Sequence, residues 1–404
     1  SNLPNPRVAT LRKFNKNGQK SLIDEGVLIW FPGPNSYTGE DLAEFHVHGS
    51  RAIVDEMHKA ISKVKNCRLA EPGEFTKKAF LNGKINLLKA ESIADLISSE
   101  TDIQRKQALK IMSGKSSIKF NTWREKLLKA LSHLEAKIDF PDENLPRNII
   151  KKIKKDSNKV LFEIKKSLND QNVGERIREG YKIAIIGPPN SGKSSLLNYF
   201  SKRDVAIVSE IAGTTRDVIE THLNLDGYPV IVSDTAGIRD SKNEIEKKGI
   251  KIALNRATDA DLKLVIITPK TVALSRLFKD LLVNNAILVV NKSDLLKRKI
   301  NNKFKKYNYV VISIKEDSNL NKLLQKIKTK LKKNFTTSGD ILITRERHRD
   351  NLKNCVYHLE KFKEKKSNDD FDKAAEDLRL ASRHLGMIVG KVGVEELLGS
   401  IFND

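Results

Sequence analysis

Apolar positions along the chain change period twice. Phe120, Trp123, Leu127, Leu131, Leu134 and Ile138 recur every three or four residues, which predicts one long amphipathic helix. Phe140-Pro141 should end it, because proline disfavours the helical region for the residue before it. Ile153, Val160, Ile164 and Leu168 make a second, weaker stripe, and Ala374, Leu378, Ala381, Leu385 and Ile388 a third with strict 4-3-4-3 spacing. Between these helical blocks lie short β-rich runs at 181–187, 228–234, 262–268, 286–291 and 309–313, with helix-sized segments between most of them. Such alternation predicts a parallel sheet with helices on both faces. The first 82 residues are mixed. Extended runs at 26–31 and 44–47 are punctuated by Phe31-Pro32-Gly33-Pro34-Asn35 and Glu71-Pro72-Gly73, which read as turns of an α+β domain with functional loops.

The predicted fold is therefore multidomain, α/β plus α. An N-terminal α+β domain spans 1–82, a discontinuous helical domain 83–178 and 336–404, and an inserted α/β domain 179–335. The two helical blocks are expected to pack together.

Composition adds limits. A chain of 404 residues has room for two or three domains. No apolar run approaches the roughly 20 residues of a membrane span, and the start lacks a signal-peptide pattern. Cys67 and Cys355 stand far apart without a Cys-x-x-Cys partner, so neither a disulfide framework nor a zinc site is expected. A cytoplasmic location follows as the expectation. The net charge of +23 has two readings: attraction of a polyanion, usually nucleic acid, or lysine drift over solvated faces. The basic residues are spread over several tracts, and charge alone does not decide between them.

Chemistry enters at Gly187-Pro188-Pro189-Asn190-Ser191-Gly192-Lys193-Ser194, a G-x-x-x-x-G-K-[ST] run after an apolar strand and before a helix. Backbone N–H groups of such a loop cradle phosphates at the helix N-terminus. Lys193 is expected on the β- and γ-phosphates and the Ser194 hydroxyl on Mg²⁺. Asp234-Thr235-Ala236-Gly237 ends a later strand; its Asp should hold the Mg²⁺ water shell and the Gly237 N–H should meet the γ-phosphate. Asn291-Lys292-Ser293-Asp294 ends another, and the Asp294 carboxylate can accept from a guanine N1–H and 2-amino group, a pairing adenine cannot offer. Three motifs in this order predict GTP. The site expected from them takes in Asn190, Ser191, Gly192, Lys193, Ser194, Ser195, Asp234, Thr235, Ala236, Gly237, Asn291, Lys292, Asp294 and Ser313. In the first switch position, Ser209, Glu210, Ile211, Ala212, Gly213, Thr214 and Thr215 join it, with Thr215 the natural second Mg²⁺ ligand. The position after Gly237, where Ras-like enzymes carry a water-orienting Gln, holds Ile238. Spacing alone names no replacement.

The chain resembles the MnmE (TrmE) family of tRNA uridine-5-carboxymethylaminomethyl modification GTPases over nearly its whole length. The residues that carry the resemblance are Trp30-Phe31-Pro32-Gly33-Pro34-Asn35-Ser36-Tyr37-Thr38-Gly39-Glu40-Asp41, Glu71-Pro72-Gly73-Glu74-Phe75, Ala79-Phe80-Leu81-Asn82, Asp139-Phe140-Pro141-Asp142, Ile211-Ala212-Gly213-Thr214-Thr215-Arg216-Asp217 and Asp234-Thr235-Ala236-Gly237-Ile238-Arg239. The resemblance implies K⁺ in place of an arginine finger, held by Asn190, Ser209, Ile211 and Thr214. It implies Glu246 as the group that orients water, acting with Lys193 and Thr215. It implies an N-terminal domain that dimerises and binds 5-formyl- or methylene-tetrahydrofolate, with Glu44 and Lys84 at folate-contacting positions. It further implies a homodimer that joins an FAD-dependent MnmG-like partner in a heterotetramer, acts on tRNA, and modifies C5 of the wobble uridine with an aminomethyl or carboxymethylaminomethyl group. G-domain dimerisation would gate hydrolysis.

The chain departs from the family pattern in several places. It starts without the family's first few dozen residues and stops after Leu398-Gly399-Ser400-Ile401-Phe402, short of the family's Cys-containing tail, so a chain truncated at both ends is expected. Ser209 replaces the more usual Thr, and Ser313-Ile314 stands where Ser-Ala is usual. His46 and His48 share a strand face without a third ligand at metal spacing. The alternative reading is a ribosome-assembly GTPase, an RNA-binding switch with no modification chemistry.

Overall fold

The computed structural model describes residues 3–16, 21–140, 149–202, 220–234, 258–269, 281–282, 285–296, 307–335, 341–365 and 371–392. Two compact units emerge: Ser1–Ala94 with Ile111–Asn158 and Tyr357–Asp404, and Asp95–Lys110 with Lys159–Val356. Their limits fall inside four helices, α3 (Leu87–Ile97), α4 (Asp102–Met112), α6 (Ile149–Leu168) and α10 (Glu346–Glu364). The limits drawn from sequence pattern at 82, 178 and 335 are a different partition.

The first unit opens with a three-stranded antiparallel meander of β1 (Thr10–Asn15), β2 (Leu22–Phe31) and β3 (Leu42–His46). Arg12 pairs with Gly26, and Val27 with His46. Helix α1 (Arg51–Ser62) is capped by Ser50, whose hydroxyl accepts from the Ile53 N–H. Helix α2 (Glu74–Leu81) follows the Glu71-Pro72-Gly73 turn, where Gly73 sits at φ 74°. The longest helix, α5 (Lys115–Asp139), packs along α11 (Phe371–Val389). Phe120, Trp123, Leu127, Leu131 and Leu134 are buried on one side of that seam and Leu378, Ala381, Leu385 and Ile388 on the other, as their spacing requires. The Phe120 and Trp123 rings meet edge to face at 5.7 Å. The helix stops at Asp139, with Phe140 out of helical geometry before Pro141.

The second unit holds a six-stranded sheet in the order β5-β6-β4-β7-β8-β9. Strands β4 (Tyr181–Ile186), β6 (Tyr228–Asp234), β7 (Leu262–Ile267), β8 (Ala286–Val290) and β9 (Tyr309–Val311) run parallel. Their near-continuous apolar runs are buried on both faces, the condition of a covered parallel sheet. One face packs against α8 (Lys193–Ser201) and α9 (Leu320–Phe335) through Leu196, Phe200, Leu323 and Ile327, and Val265, Ile267, Leu288 and Val290 cluster on the other. The purely parallel sheet expected from the pattern is corrected at one edge. Glu220–Leu225 forms β5, antiparallel to β6 through a turn at Asp226 (φ 55°) and Gly227 (φ 88°). Asp-Gly between two alternating runs is the hairpin signal that marks it.

A polar lattice ties the helices of this unit to its sheet. Asp95 receives Arg178 Nε at 3.0 Å and Arg345 Nη2 at 2.7 Å. Arg349 donates to Glu175, Asp170 and the Leu168 carbonyl, and Glu100 meets His222 of β5 at 3.0 Å. In α7 (Val173–Glu179), a Cβ on Gly174 would fall 2.0 Å from the Ile343 carbonyl oxygen, so only glycine fits there. No helix among the described residues is long and apolar enough to cross a membrane.

Candidate nucleotide site

Strand order reverses at β4, and the loops that follow the carboxyl ends of β4, β6, β8 and β9 carry the sequence motifs. In open α/β sheets this edge is where ligands bind. The β4–α8 loop holds residues 187–192. Gly187 lies so close to β7 that a Cβ would stand 2.2 Å from the Ile266 carbonyl oxygen. Asn190 adopts φ 60° and Gly192 φ 100°. A Cβ on Gly192 would meet Asn291 Nδ2 at 2.1 Å, so the loop and the guanine motif touch through a position that tolerates no side chain. Gly192 caps α8 without a side-chain hydrogen bond, which leaves that N-terminus to an external acceptor.

Lys193 is almost fully buried, and its Nζ donates to the Gly187 and Pro188 carbonyls at 2.9 and 3.0 Å. The ammonium thus folds back over the loop that would receive phosphate. Ser191 is buried, and its Oγ has no hydrogen-bond partner among the described residues. A buried orphan hydroxyl beside a folded-back ammonium and an uncapped helix start suits a bound polyanion. Ser194 and Ser195 are exposed in the first turn of α8. The residues present therefore fit a nucleoside triphosphate with its Mg²⁺, the Ser194 hydroxyl being the described oxygen that would ligate the metal.

The base side is equally connected. Asn291 is buried; its Nδ2 donates to the Ser191 carbonyl at 2.9 Å, and its Oδ1 accepts from the Ile314 N–H at 3.3 Å. One side chain thus joins the phosphate loop to the β9 loop. Lys292 turns the chain at φ 62° into a short 3₁₀ turn, Ser293–Leu295. Asp294 is exposed, and its Oδ1 accepts from the Ser313 hydroxyl at 2.8 Å. That bond orients the carboxylate at the exposed end of the site. At the Ser313-Ile314 departure, the Ile314 backbone serves Asn291 while its side chain packs against the core beneath the sheet. The sequence pointed to Asn291 and Ser313 through the base; their bonds to the phosphate loop and to Asp294 could not be read from spacing.

Asp234 ends β6 beside Ile185 of β4, so its backbone sits at the same edge. Ser209, Glu210, Ile211, Ala212, Gly213, Thr214, Thr215, Thr235, Ala236, Gly237, Ile238 and Glu246 lie outside the described residues.

In the first unit, two of the family-like segments, 30–41 and 79–82, come together. The loop after β2 is closed by Asp41 Oδ1 accepting from the Gly33 N–H and by Ser36 bonding Gly39 and Glu40. Asn82 Nδ2 donates to the Thr38 carbonyl at 2.8 Å, Tyr37 meets Thr76 at 3.1 Å, and Lys78 pairs with Glu40. Gly39 (φ 84°) lies under the Lys84 stem, where a Cβ would be 2.9 Å from Lys84 Cε. Glu44 is half-exposed on β3 and faces His46 at 3.3 Å rather than Lys84. His48 instead binds Asp24, through its ring nitrogen and its backbone N–H, both at 2.8 Å. These bonds hold the Asp24 carboxyl below the usual range. The two histidines thus have separate carboxylates, and the described residues contain no cluster of three metal-ligating groups. Cys355 is buried, which pushes its thiol pKa up; Cys67 is exposed.

Comparison with known proteins places this geometry. Residues 87–404 match the MnmE helical domain, and residues 1–84 match the GTP-binding protein TrmE N-terminus. The chain is 70% identical to the tRNA modification GTPase MnmE of Pelagibacter ubique (strain HTCC1062), over 100% of this chain and 91% of that protein. It is 43% identical to the protein of the same name from Rickettsia bellii (strain RML369-C), over 99% and 90%. It is 42% identical to that of Rickettsia akari (strain Hartford), again over 99% and 90%.

Proposed function

Since the chain belongs to the MnmE family of tRNA modification GTPases, we propose that it hydrolyses GTP as the nucleotide-driven component of wobble-uridine C5 modification in tRNA. The observation that carries this reading is the bond pattern of Asn291, which holds the phosphate loop while Ser313 aims Asp294 at a guanine edge. In this reading Lys193 leaves the Gly187 and Pro188 carbonyls for the β- and γ-phosphates, and backbone N–H groups of the loop donate to the remaining phosphate oxygens. Ser191, Gly192, Ser195 and Lys292 line the nucleotide. Ser194 and Thr215 would hold Mg²⁺, which would neutralise charge on the phosphates. Asn190, Ser209, Ile211 and Thr214 would hold K⁺, which would supply the positive charge an arginine finger otherwise brings. Glu246 orients the attacking water, the task that Ile238 cannot perform.

The rest of the assignment extends from the family. The segment 1–82 binds a formyl- or methylene-tetrahydrofolate near Glu44 and Lys84 and forms a homodimer. The helical segments 83–178 and 336–404 carry the G domain 179–335 and dock an FAD-dependent partner in the cytoplasm. Hydrolysis drives a change of conformation and leaves the carbon chemistry to the folate and flavin. Nucleoside mass spectrometry of tRNA from a deletion strain tests the reading. Loss of the C5-modified wobble uridine, restored by the wild-type gene, is expected; normal modification would transfer the chain to ribosome assembly. Purified protein should also hydrolyse GTP much faster in K⁺ than in Na⁺, and equal rates would remove the K⁺ assignment.

A further inference from the structure

The proposed function calls for a tRNA partner, and helix α6 has an outer face built for one. At 100° per residue, its buried positions Ile153, Ser157, Val160, Leu161 and Ile164 occupy one arc. The opposite arc collects Lys151, Lys152, Lys155, Lys159, Phe162 and Lys166, all exposed. None of these five lysines makes an ion pair among the described residues. The helix's acidic groups, Asp156 and Glu163, fall at the margin of the arc. A carboxylate stands four residues on from Lys152 (Asp156) and from Lys159 (Glu163), but neither lysine pairs with it, and Lys151 and Lys155 are followed at that spacing by further lysines.

Phe162 is the second observation. It is 69% exposed, among the most exposed large apolar side chains in the described structure, and it stands between Lys155, Lys159 and Lys166 on that arc. Exposing a phenyl ring forfeits about 1.5–3 kcal/mol of burial. Cations flanking one bare aromatic ring match what single-stranded or looped RNA offers: phosphates for the ammonium groups and an unpaired base for the ring. The row from Lys151 to Lys166 spans about 22 Å, with Lys151, Lys155 and Lys159 about 6 Å apart along the axis and Lys166 about 10 Å beyond, Phe162 lying between the last two. An amphipathic membrane helix would present a broad apolar face instead, whereas this arc has a single apolar group.

We propose that this face of α6 is a docking surface for RNA, with Lys151, Lys155, Lys159 and Lys166 on backbone phosphates and Phe162 stacked on an unpaired base. It rests on the tRNA-modification reading and adds to it where the polynucleotide lies. The lysines then act as attraction rather than drift at this one place in the chain.

The test uses the full chain and a fluorescently labelled, unmodified tRNA transcript, with anisotropy read from 50 to 200 mM KCl. Replacing Lys151, Lys155, Lys159 and Lys166 together by Gln should weaken binding at least about tenfold. It should also reduce the slope of log affinity against log salt by about 2 to 3, because counterion release scales with the phosphates neutralised. Phe162→Ser should weaken binding about fivefold or more with the salt slope unchanged, as expected of lost stacking. GTP hydrolysis should stay at the wild-type rate in both. A quadruple variant with wild-type affinity and slope, where the wild type does bind tRNA, overturns the surface and leaves the tRNA reading standing. A wild type that does not bind tRNA overturns both. Should the quadruple variant misfold, amine acylation of the wild type replaces it: tRNA should protect these four lysines, and equal labelling with and without tRNA overturns the proposal. Phosphatidylserine vesicles that depend on the same lysines, with tRNA binding untouched, would reassign the face to a membrane and overturn it as well.

Discussion

Strands β4, β7 and β8 bury nearly every side chain, whereas β1, β2 and β3 bury only Phe14 and Asp24. The cause is visible in composition: β7 reads LKLVII, covered on both faces, while β1 reads TLRKFN and β3 LAEFH. Helices α8 and α9 on one face of the six-stranded sheet and the buried cluster of Val265, Ile267, Leu288 and Val290 on the other let packing set the spacing of its loops. The three-stranded meander lacks such cover. Thin sheets of this kind are marginal alone, and the loop around Gly39 is held mainly by hydrogen bonds from Asp41, Ser36, Asn82 and Tyr37. One site thus inherits its geometry from packing and the other from polar bonds, with apolar groups such as Leu11 and Phe45 left outside.

The largest separation between the two sheets should appear in catalysis. Lys193→Ala removes the ammonium that now bonds the Gly187 and Pro188 carbonyls and should lower GTP turnover about 10²- to 10³-fold, the range for losing one preorganised charge stabiliser. Glu44→Gln and Lys84→Ala should leave turnover unchanged and weaken tetrahydrofolate binding. Steady-state phosphate release and folate titration by calorimetry measure the two effects. Slow hydrolysis in the Glu44 or Lys84 variants would show that the sites are not separable.

Stability should separate the sheets next. Leu264 is fully buried in β7, and Leu264→Ala should cost about 2–5 kcal/mol in urea unfolding. Phe45 on β3 is 43% exposed, so Phe45→Ala should cost no more than about 1 kcal/mol. A cost for Phe45→Ala that grows with protein concentration would mean a second chain covers this sheet in solution, consistent with the proposed homodimer. A large cost independent of concentration would break the contrast.

The same contrast explains what the sequence made legible. Long stripes such as Phe120 to Leu134 and Ala374 to Ile388 predicted their helices because burial follows a strict period there. The phosphate loop was legible because glycine, lysine and hydroxyl positions are dictated by backbone approach to phosphate. Glu220–Leu225 was not read as a strand, since Glu220, His222 and Asn224 dilute its apolar positions and only the Asp226-Gly227 turn marks it. The Asp95–Arg178–Arg345 and Glu100–His222 bonds join residues about 80 to 250 apart, and no local pattern encodes such pairs. The α6 lysines were visible only as part of a diffuse positive charge until helix phase gathered them on one face.

A smaller effect tests how the guanine end is tuned. Ser313→Ala deletes the hydroxyl that donates to Asp294 and accepts from the Glu316 N–H. One hydrogen bond of this kind contributes about 0.5–1.5 kcal/mol, so the Kd for GDP should rise between about twofold and tenfold. Because packing rather than this bond fixes the loop, GTP turnover at saturation should change little. Fluorescent-nucleotide titration reads the first and phosphate release the second; an unchanged Kd would mean that Asp294 is oriented without Ser313.

The smallest effect lies in the thin sheet, where polar bonds should leave an acid signature. Asp24 on β2 accepts from the backbone and the ring of His48, and these bonds place its carboxyl below the ordinary value of 3.8. A depressed carboxyl pKa means that the unfolded chain binds more protons than the folded one between the two values. The Asp24 contribution is therefore present above the unfolded value and is lost as pH falls through the folded one. Asp24→Asn should lower the melting temperature of the first transition by a few degrees at most at pH 7. Below pH 4 the difference between variant and wild type should shrink, as the wild type loses the same charge. Thermal scans at pH 7, 5, 4 and 3 read this directly. A gap that stays constant down to pH 3 would mean the His48 bonds stabilise the strand end without regard to charge, and the polar account of this sheet would have to rest on its loop bonds alone.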